Sequence, residues 1–457
     1  MLVFARPSSG TAFGSAVLIV MLLAGTADAA ARTSWASDVM THAPSTDGEG
    51  VSDIAILPNG TVFVVMNRYT GGGSYDVTAQ IIDSSGARLY SPDLRVNRVT
   101  PGNHQSPSVA VDGAGNAVVV WSQNELGVYK IRGQMIAPNG TLMWGPGDKQ
   151  LDQNGGISHI IPTVATNGNG KWVVVWSAQF GSWMDIIAME VNNTGDPTWG
   201  TVNKPVNRVT TNNQNFATAV RNASGHTIVV WWDDRDGVGG YDAFAQALNE
   251  SGAPGWGATD MPVNQVADQV GSRITLAAAG DQYYVAWSQY RAAFGQIFGQ
   301  KLSYNGTPMW GPSDRMLLGD GLKDVFGPSL ALDTTARADD AGELFVSYSD
   351  CPDDICDRTN ISLMRFDSAG NALWGLPVRV NQDSSRGAYE AIAAFNPVDS
   401  HLYVGWTQQA IAGSDTDGFL QRLDESGNVP EVGSGAVTAA TVAVVVVAGA
   451  VVPRRKH

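Results

Sequence analysis

The chain has 457 residues, 52 of them glycine, with only 16% charged residues and a formal net charge of −15. A glycine-rich, charge-poor composition suits an all-β protein with many turns better than a helical one. The acidic balance, with no basic cluster in the body of the chain, argues against an electrostatic nucleic-acid footprint.

Residues 1–30 read as a secretory signal peptide. Arg6 supplies the positive charge, "AFGSAVLIVMLLAG" (12–25) is the apolar segment, and "ADAA" (27–30) offers small residues for cleavage. The apolar run is short for a membrane-spanning helix. The mature chain is expected to begin near Ala30 or Ala31 and to be exported.

From there the chain repeats itself, and repeats come before motifs in any reading. Each copy reads apolar strand, Gly-containing turn, "VVVW"-like strand, variable loop, a third strand marked by Gln or Met, a Gly turn, "WG" and "VN". The second-strand aromatic falls at Trp121, Trp176, Trp231, Trp287, Tyr348 and Trp406, with Met66 in the first copy. The early spacing is a constant 55 residues. Gln80, Gln134, Met189, Gln246, Gln300, Met364 and Gln421 mark the third strand, and a glycine follows six residues after each, from Gly86 to Gly427. In the second copy the four β-type runs are "SPSVAVD", "AVVVWS", "KIRGQMIA" and "LMWGPGDKQL", broken by "DGAGN" and "PNGT". Four strands in a unit of roughly 40–55 residues is the signature of a β-propeller blade. Sandwich domains need near 100 residues, so they fit the unit poorly.

The seventh copy lacks the fourth-strand aromatic that the others carry as Tyr90, Trp144, Trp199, Trp256, Trp310 and Trp374. "WASDVMTH" (35–42) aligns with "WGLPVRVN" (374–381) and places Val39 over Val378. The expected fold is therefore an all-β, seven-bladed β-propeller of four antiparallel strands per blade. The N-terminal strand completes the last blade and removes an exposed sheet edge. The propeller is expected to span residues 31–432.

In an antiparallel blade the first–second and third–fourth turns share one face, and the second–third and blade-to-blade loops share the other. The first set is short and uniform, and the second is variable and richer in charge and aromatics. Variable loops on a rigid scaffold are where binding residues usually sit. The candidates there are Tyr129, Trp183, Tyr290 and the stretch "WWDDRDGVGGYDAFAQ" (231–246). In that stretch Trp231, Ala245 and Gln246 are scaffold positions, and Asp233, Arg235 and Asp242 suggest an intra-hairpin ion pair worth about 0–1 kcal/mol if exposed. Trp232, Asp234, Asp236 and Tyr241 remain as ligand-binding candidates. His104, His159 and Glu390 are expected in linker loops on the same face. Asp415 and Asp417 in "SDTDG" could hold Ca²⁺ through oxygen ligands, although no run matches an EF-hand loop. No cofactor is otherwise implied. No catalytic set stands out: the face offers many carboxylates without singling out a pair, and neither G-x-S-x-G nor H-E-x-x-H occurs.

The two cysteines, Cys351 and Cys356, are expected to form one local disulfide in an exported chain. As a metal pair they lack a nearby His or a second Cys pair. At the far end, "VPEVGSG" (429–435) leads into the apolar "AVTAATVAVVVVAGAVV" (436–452) and then "PRRKH". A Val-Pro-Glu motif, a short apolar helix and a terminal basic cluster resemble the PEP-CTERM sorting signals processed by exosortase-type enzymes. Val432 stands where that motif has a second Pro. The tail, residues 433–457, is expected to anchor the chain in a membrane, permanently or until processing, with its basic end cytoplasmic.

The repeat itself, roughly W-x-D-x-R…D-x-x-A-Q…G…W-G, resembles one found in exported bacterial surface proteins. The fourth copy carries it as Trp231, Asp233, Arg235, Asp242, Ala245, Gln246, Gly252, Trp256 and Gly257. The resemblance covers most of the mature chain and implies a propeller at the cell surface, with no particular activity. The favoured function is a non-enzymatic binding or adhesion scaffold for a glycan, matrix component or surface protein. The alternative is a carbohydrate-active enzyme, a glycoside hydrolase or polysaccharide lyase, and a ligand-free spacer is the third reading. Removing residues 32–43 is expected to lower the melting temperature sharply in a circular-dichroism melt. An unchanged melting point would contradict the ring closure.

Overall fold

Successive side chains of a β-strand point to opposite faces, and here both faces of each central strand are covered. Phe63 and Val65 pack toward Val119 and Trp121 of the next copy, whereas Val62, Val64 and Met66 pack toward Tyr403 and Leu420 of the last. That two-sided burial explains why "VFVVM" is apolar without alternation. Each such side chain, fully buried, contributes roughly 1.5–3 kcal/mol.

The computed structural model describes residues 35–424, apart from residues 36, 44–46, 100–101, 154–155, 238–239, 267–269, 292–293, 334, 336–341, 352–355, 357 and 410–415, and among the described residues there is no helix. The signal peptide and the C-terminal tail lie outside the described residues. Seven antiparallel four-stranded sheets form, six of them from consecutive strands. The seventh combines Ala388–Asn396, His401–Gln409 and Thr416–Asp424 with Val39–Met40 from the other end of the chain. Val39 lies opposite Leu420 just as Val378 lies opposite Leu363 in the preceding sheet. The first strands are Glu49–Ile56, His104–Val111, His159–Thr166, Gln214–Arg221, Val270–Ala279, Val325–Asp333 and Ala388–Asn396. They touch one another in cyclic order, the last against the first. They therefore surround a central channel, and the protein is a seven-bladed β-propeller, with blades 1 to 7 numbered from Glu49. Its apolar core lies at the blade interfaces, in six clusters among the described residues, one of which joins blades 5, 6 and 7.

The fourth strand is shorter than the ten-residue run expected from "LMWGPGDKQL". Only Lys149–Gln150 pairs as a strand, preceded by an isolated bridge at Leu142. The cause is the Gln that recurs on the third strand. The Gln134 amide accepts from the Trp144 N–H at 2.8 Å and donates to the Gly145 carbonyl at 3.4 Å, so the chain detours round it. Gln80, Gln246 and Gln300 hold Tyr90, Trp256 and Trp310 in the same way.

That detour aims the fourth-strand Trp at the next blade. Its indole N–H donates to a turn carbonyl there: Trp144 to Asn193 at 2.8 Å, Trp199 to Glu250 at 2.7 Å, Trp256 to Tyr304 at 3.0 Å and Trp310 to Ser368 at 3.1 Å. Trp35 of the N-terminal segment donates to Ser84 of blade 1 at 3.0 Å, so the seam carries the same link. The indole then lies on the turn glycine. A Cβ on Gly252 would sit 2.4 Å from the Trp199 ring, and Gly252 has φ +77°. The glycine six residues beyond the Gln is thus required twice, by a left-handed turn and by the neighbour's Trp.

Gly252→Ala is expected to cost about 2–5 kcal/mol, from the left-handed alanine and the overpacked indole together. Gly127, with φ +90° and open space around it, should cost only about 1–2 kcal/mol as Gly127→Ala. Chemical denaturation of both variants checks this, and equal losses would contradict the stacking role.

Candidate functional site

The linkers between blades turn under the ring and carry an Asn or Asp that caps the third strand. Asn97, Asp152, Asn207, Asn264 and Asn381 accept the backbone N–H of Val77, Ile131, Ile186, Ala243 and Ile361 at 2.6–2.9 Å. In blades 2, 3 and 4 the first strand opens, seven residues later, on a buried polar side chain that faces this cap. His104 lies 3.4 Å from Asn97, His159 3.7 Å from Asp152, and Gln214 3.3 Å from Asn207. This corrects the expectation of His104 and His159 in linker loops. They begin first strands, fully buried, because the linker cap needs a polar partner inside the ring. Glu390 likewise belongs to the first strand of blade 7.

Two residues into most first strands the pairing slips by one residue, a bulge. The extra residue takes a left-handed backbone: Ser106 at φ 53°, Ile161 at 54°, Phe216 at 53°, Gly327 at 61° and Glu390 at 61°. The first strands line the channel, and the bulges lie near the linker-side face. Each blade therefore displays one residue at the channel mouth. Arg273, in the second of two slips in blade 5, reaches within 3.5 Å of the Ala391 carbonyl of blade 7. Only a path across the channel connects those blades without passing through blade 6. Glu390 is exposed to the channel yet surrounded by protein mass, which raises its carboxyl pKa against the opposing pull of Arg273. Enclosure also raises Asp53, held by the Val109 N–H and the Ser108 hydroxyl of blade 2.

Blade 4 departs from this pattern. Just after the buried second-strand aromatic, blades 2, 3, 5, 6 and 7 carry Ser122, Ser177, Ser288, Ser349 and Thr407. Ser122 and Ser288 accept the bulge N–H of the next blade, from Ile161 at 2.9 Å and Gly327 at 3.0 Å. Blade 4 has Trp232 instead. Its ring meets Phe216 at 4.6 Å and Tyr241 at 5.3 Å between centroids. Phe216 is 42% exposed, so the group presents an open aromatic face at the mouth. Sequence reasoning missed Phe216, because a bulge breaks the period-two pattern that separates facing-in from facing-out residues. Its alignment with Ser106 and Ile161 was the available signal.

Among the described residues the other candidate aromatics share no ring contact with this group. Trp183 stands exposed on the blade 3 hairpin, and Tyr129 sits half-buried on that of blade 2, its N–H on the Ser158 hydroxyl. Tyr290 is exposed and lies over Gly271 in blade 5. Asp236 is exposed on the blade 4 hairpin, and Asp234 is anchored there by its N–H to the Asn213 carbonyl. Asp233 is buried rather than exposed: it accepts from the Trp231 indole at 2.8 Å and from Arg235 at 2.6 Å, and Arg235 also reaches Asp260. Asp242 accepts from Asn264 at 2.7 Å.

Asp415 lies outside the described residues. Asp417 is turned toward His42, 3.5 Å from Nε2. Among the described residues no group of three or more His, Cys, Asp or Glu is placed to hold a metal ion. Cys351 and Cys356 form the expected disulfide.

No family model and no curated protein matches the chain. Among solved structures it is similar to a Dyadobacter fermentans protein of unknown function, at 10% identity and TM-score 0.51, over 86% of this chain and 99% of that one. It is also similar to an ulvan lyase of polysaccharide lyase family PL25, at 11% identity and TM-score 0.50, over 86% and 95%. Likeness at these identities is one of fold.

At the seam His42 takes the place of the linker Asn. Burial lowers its pKa, but the Glu49 carboxylate 2.6 Å from Nδ1, the Ala43 carbonyl and Asp417 outweigh burial and leave it raised. Arg68 faces the same Glu49 at 3.3 Å. A raised folded-state pKa means protonation favours the fold. The contribution is complete below the unfolded value of 6.5 and is lost as pH rises through the folded value. The melting temperature should therefore fall over that alkaline step in the native protein and stay flat across it in His42→Asn, the residue other blades use. An equal fall in both proteins would contradict the assignment.

Proposed function

We propose that this chain is an exported, envelope-anchored propeller that binds a glycan at its channel mouth, as a binding scaffold rather than an enzyme. The observation that carries this reading is the Phe216–Trp232–Tyr241 group. Six blades are built alike at this position, with small polar side chains, and one is built with an indole. The repeat needs no aromatic there. A sugar ring has apolar faces edged by hydroxyls, and an open aromatic face beside polar groups matches both parts. The signal peptide and the PEP-CTERM-like tail support a cell-surface location, with the membrane reached through the tail. A matrix component or surface protein is bound through the same face if its recognised part is a glycan. The net charge of −15 favours neutral glycans over polyanions, and no nucleic acid or cofactor enters the reading.

Carbohydrate hydrolysis or elimination is the second reading, and Glu390 is the observation that favours it. Its carboxyl pKa is raised and it faces the channel, as a general acid requires. The "DDRD" carboxylates give it less support, because Asp233 is committed to Trp231 and Arg235.

Residues 31–432 should bind members of a neutral-glycan array, and Trp232→Ser should weaken that binding about tenfold, roughly 1.4 kcal/mol. Calorimetry measures the loss, and unchanged affinity in a folded variant would overturn the site. Product release from the same glycans would promote the enzymatic reading.

A further inference from the structure

We infer that the seam between blades 7 and 1 is a second subsite for the same ligand, and that the ligand is a neutral polysaccharide chain laid across the channel mouth. The inference rests on the glycan reading above and adds the ligand's form and its second point of contact.

The seam holds a cleft of about 560 Å³ whose walls include Tyr69, Tyr75, Tyr389 and Glu390. That volume falls within the range of about 300–1,000 Å³ typical of small-molecule sites. The repeat explains why it is open. Blades 2, 3 and 4 carry Asn103, Ser158 and Asn213 at the end of the linker, and Gln105, Ile160 and Asn215 in the second position of the first strand. The first three serve as hydrogen-bond acceptors for the hairpin of the preceding blade: Tyr75, Tyr129 and Met184 donate their N–H groups to them at 3.0, 3.3 and 3.2 Å. In blade 1 both positions are glycine, Gly48 and Gly50, and both line the cleft. Neither has a left-handed backbone that would require glycine. Blade 7 also ends its linker in glycine, Gly387, but carries Tyr389 in the second position, so Gly50 is the loss that opens the space. Tyr69 and Tyr75, with centroids 5.4 Å apart, wall one side of the space, and Tyr389 adds a third ring.

The position of the cleft gives the ligand's form. Blade 4 is three blades from blade 1 and three from blade 7, so the seam lies directly across the channel from Phe216 and Trp232. One arginine side chain, Arg273, comes within 3.5 Å of blade 7 from blade 5, so the mouth is narrow. A chain of a few sugars seated on the blade 4 aromatics would continue over the mouth into the seam. The mouth residues along that path are Arg273, Asp53 and Glu390, and the Arg273 charge pulls both carboxyls down against the burial that raises them. They offer hydrogen bonds to hydroxyls without a net positive field for a polyanion. Two linked contacts multiply affinity through effective concentration, provided one chain spans both.

The test uses residues 31–432 and neutral oligosaccharide ladders prepared from β-1,4-glucan, α-1,4-glucan and mannan, with affinity measured against chain length. In the native protein the affinity for a bound ladder should rise with length and then level off. Gly50→Gln, which installs the side chain of blade 2, should remove that rise, lowering long-chain affinity about tenfold or more and leaving the shortest bound member unchanged. Tyr389→Ala should do the same and serves if Gly50→Gln does not fold, since an added Cβ would meet the Thr407 side chain at 3.0 Å. A length dependence that persists in a folded variant, or short chains that bind as well as long ones, would overturn the second subsite while leaving the blade 4 site intact. Failure of every ladder to bind would overturn both.

Discussion

One contact sets the shape of this molecule: the indole of one blade bonds a turn carbonyl of the next and lies against a glycine that has no Cβ. Trp199 on Gly252 shows it most tightly, and Trp35 on the blade 1 turn closes the circle with the same bond. The contact fixes the distance between neighbouring third-to-fourth turns, and the Gln that folds the chain round its amide fixes where the indole points. Further links run inward from this outer one. Asp148 and Asp260 each accept backbone N–H groups from the linker before their blade, at Arg98 and at Arg208. Near the axis, Asp53, Thr275 and Ser329 accept N–H groups from the first strand that follows. A blade therefore has neighbours' bonds at its rim, its middle and its axis. With apolar contacts on both faces, its second strands need no polar side through their central run, as in Val62–Met66 and Val118–Trp121.

The recurrence of that contact is why the fold was legible without coordinates. A Gln-to-Gly offset of six residues is rigid because both ends are fixed, the Gln to the Trp-Gly detour and the Gly to the neighbour's ring. The alignment of Val39 with Val378 worked for the same reason, since an outer strand must follow its Trp at a set distance. The bulges were not legible. One extra residue in a first strand leaves no mark on composition, and it moved Glu390 and Phe216 from ordinary strand positions to the channel mouth. The fourth strands were overestimated because apolar residues near Trp144 look like pairing residues when they serve the detour. The histidines looked like loop residues because linker and strand meet at them, while burial beneath the linker cap is a three-dimensional fact.

The candidate site follows from departures in a regular object. Where seven units repeat, a position that changes in one of them is not needed for the ring. Trp232 adds an aromatic at a position where blades 2, 3 and 5 to 7 have a small hydroxyl, and Gly50 removes a side chain that blades 2 to 4 and blade 7 retain. One change builds a surface and the other opens a space, and the ring places them on opposite sides of one channel. The exposed hairpin aromatics Trp183 and Tyr290 each stand on their own blade. His42 is a departure of another kind, a titrating residue where other linkers carry an amide or a carboxylate, and its contacts stay within the seam.

The central claim is that function lies where the repeat is broken at the channel mouth. Hydrogen–deuterium exchange of the mature chain, with and without a saturating neutral polysaccharide, tests it most directly. The account predicts slowed exchange at residues 213–216 and 232–243 in blade 4, and at residues 48–51 and 69–75 beside the seam. Slowed exchange confined to the hairpin tips around Leu126 and Trp183, or to the uniform turns on the opposite face, would contradict it.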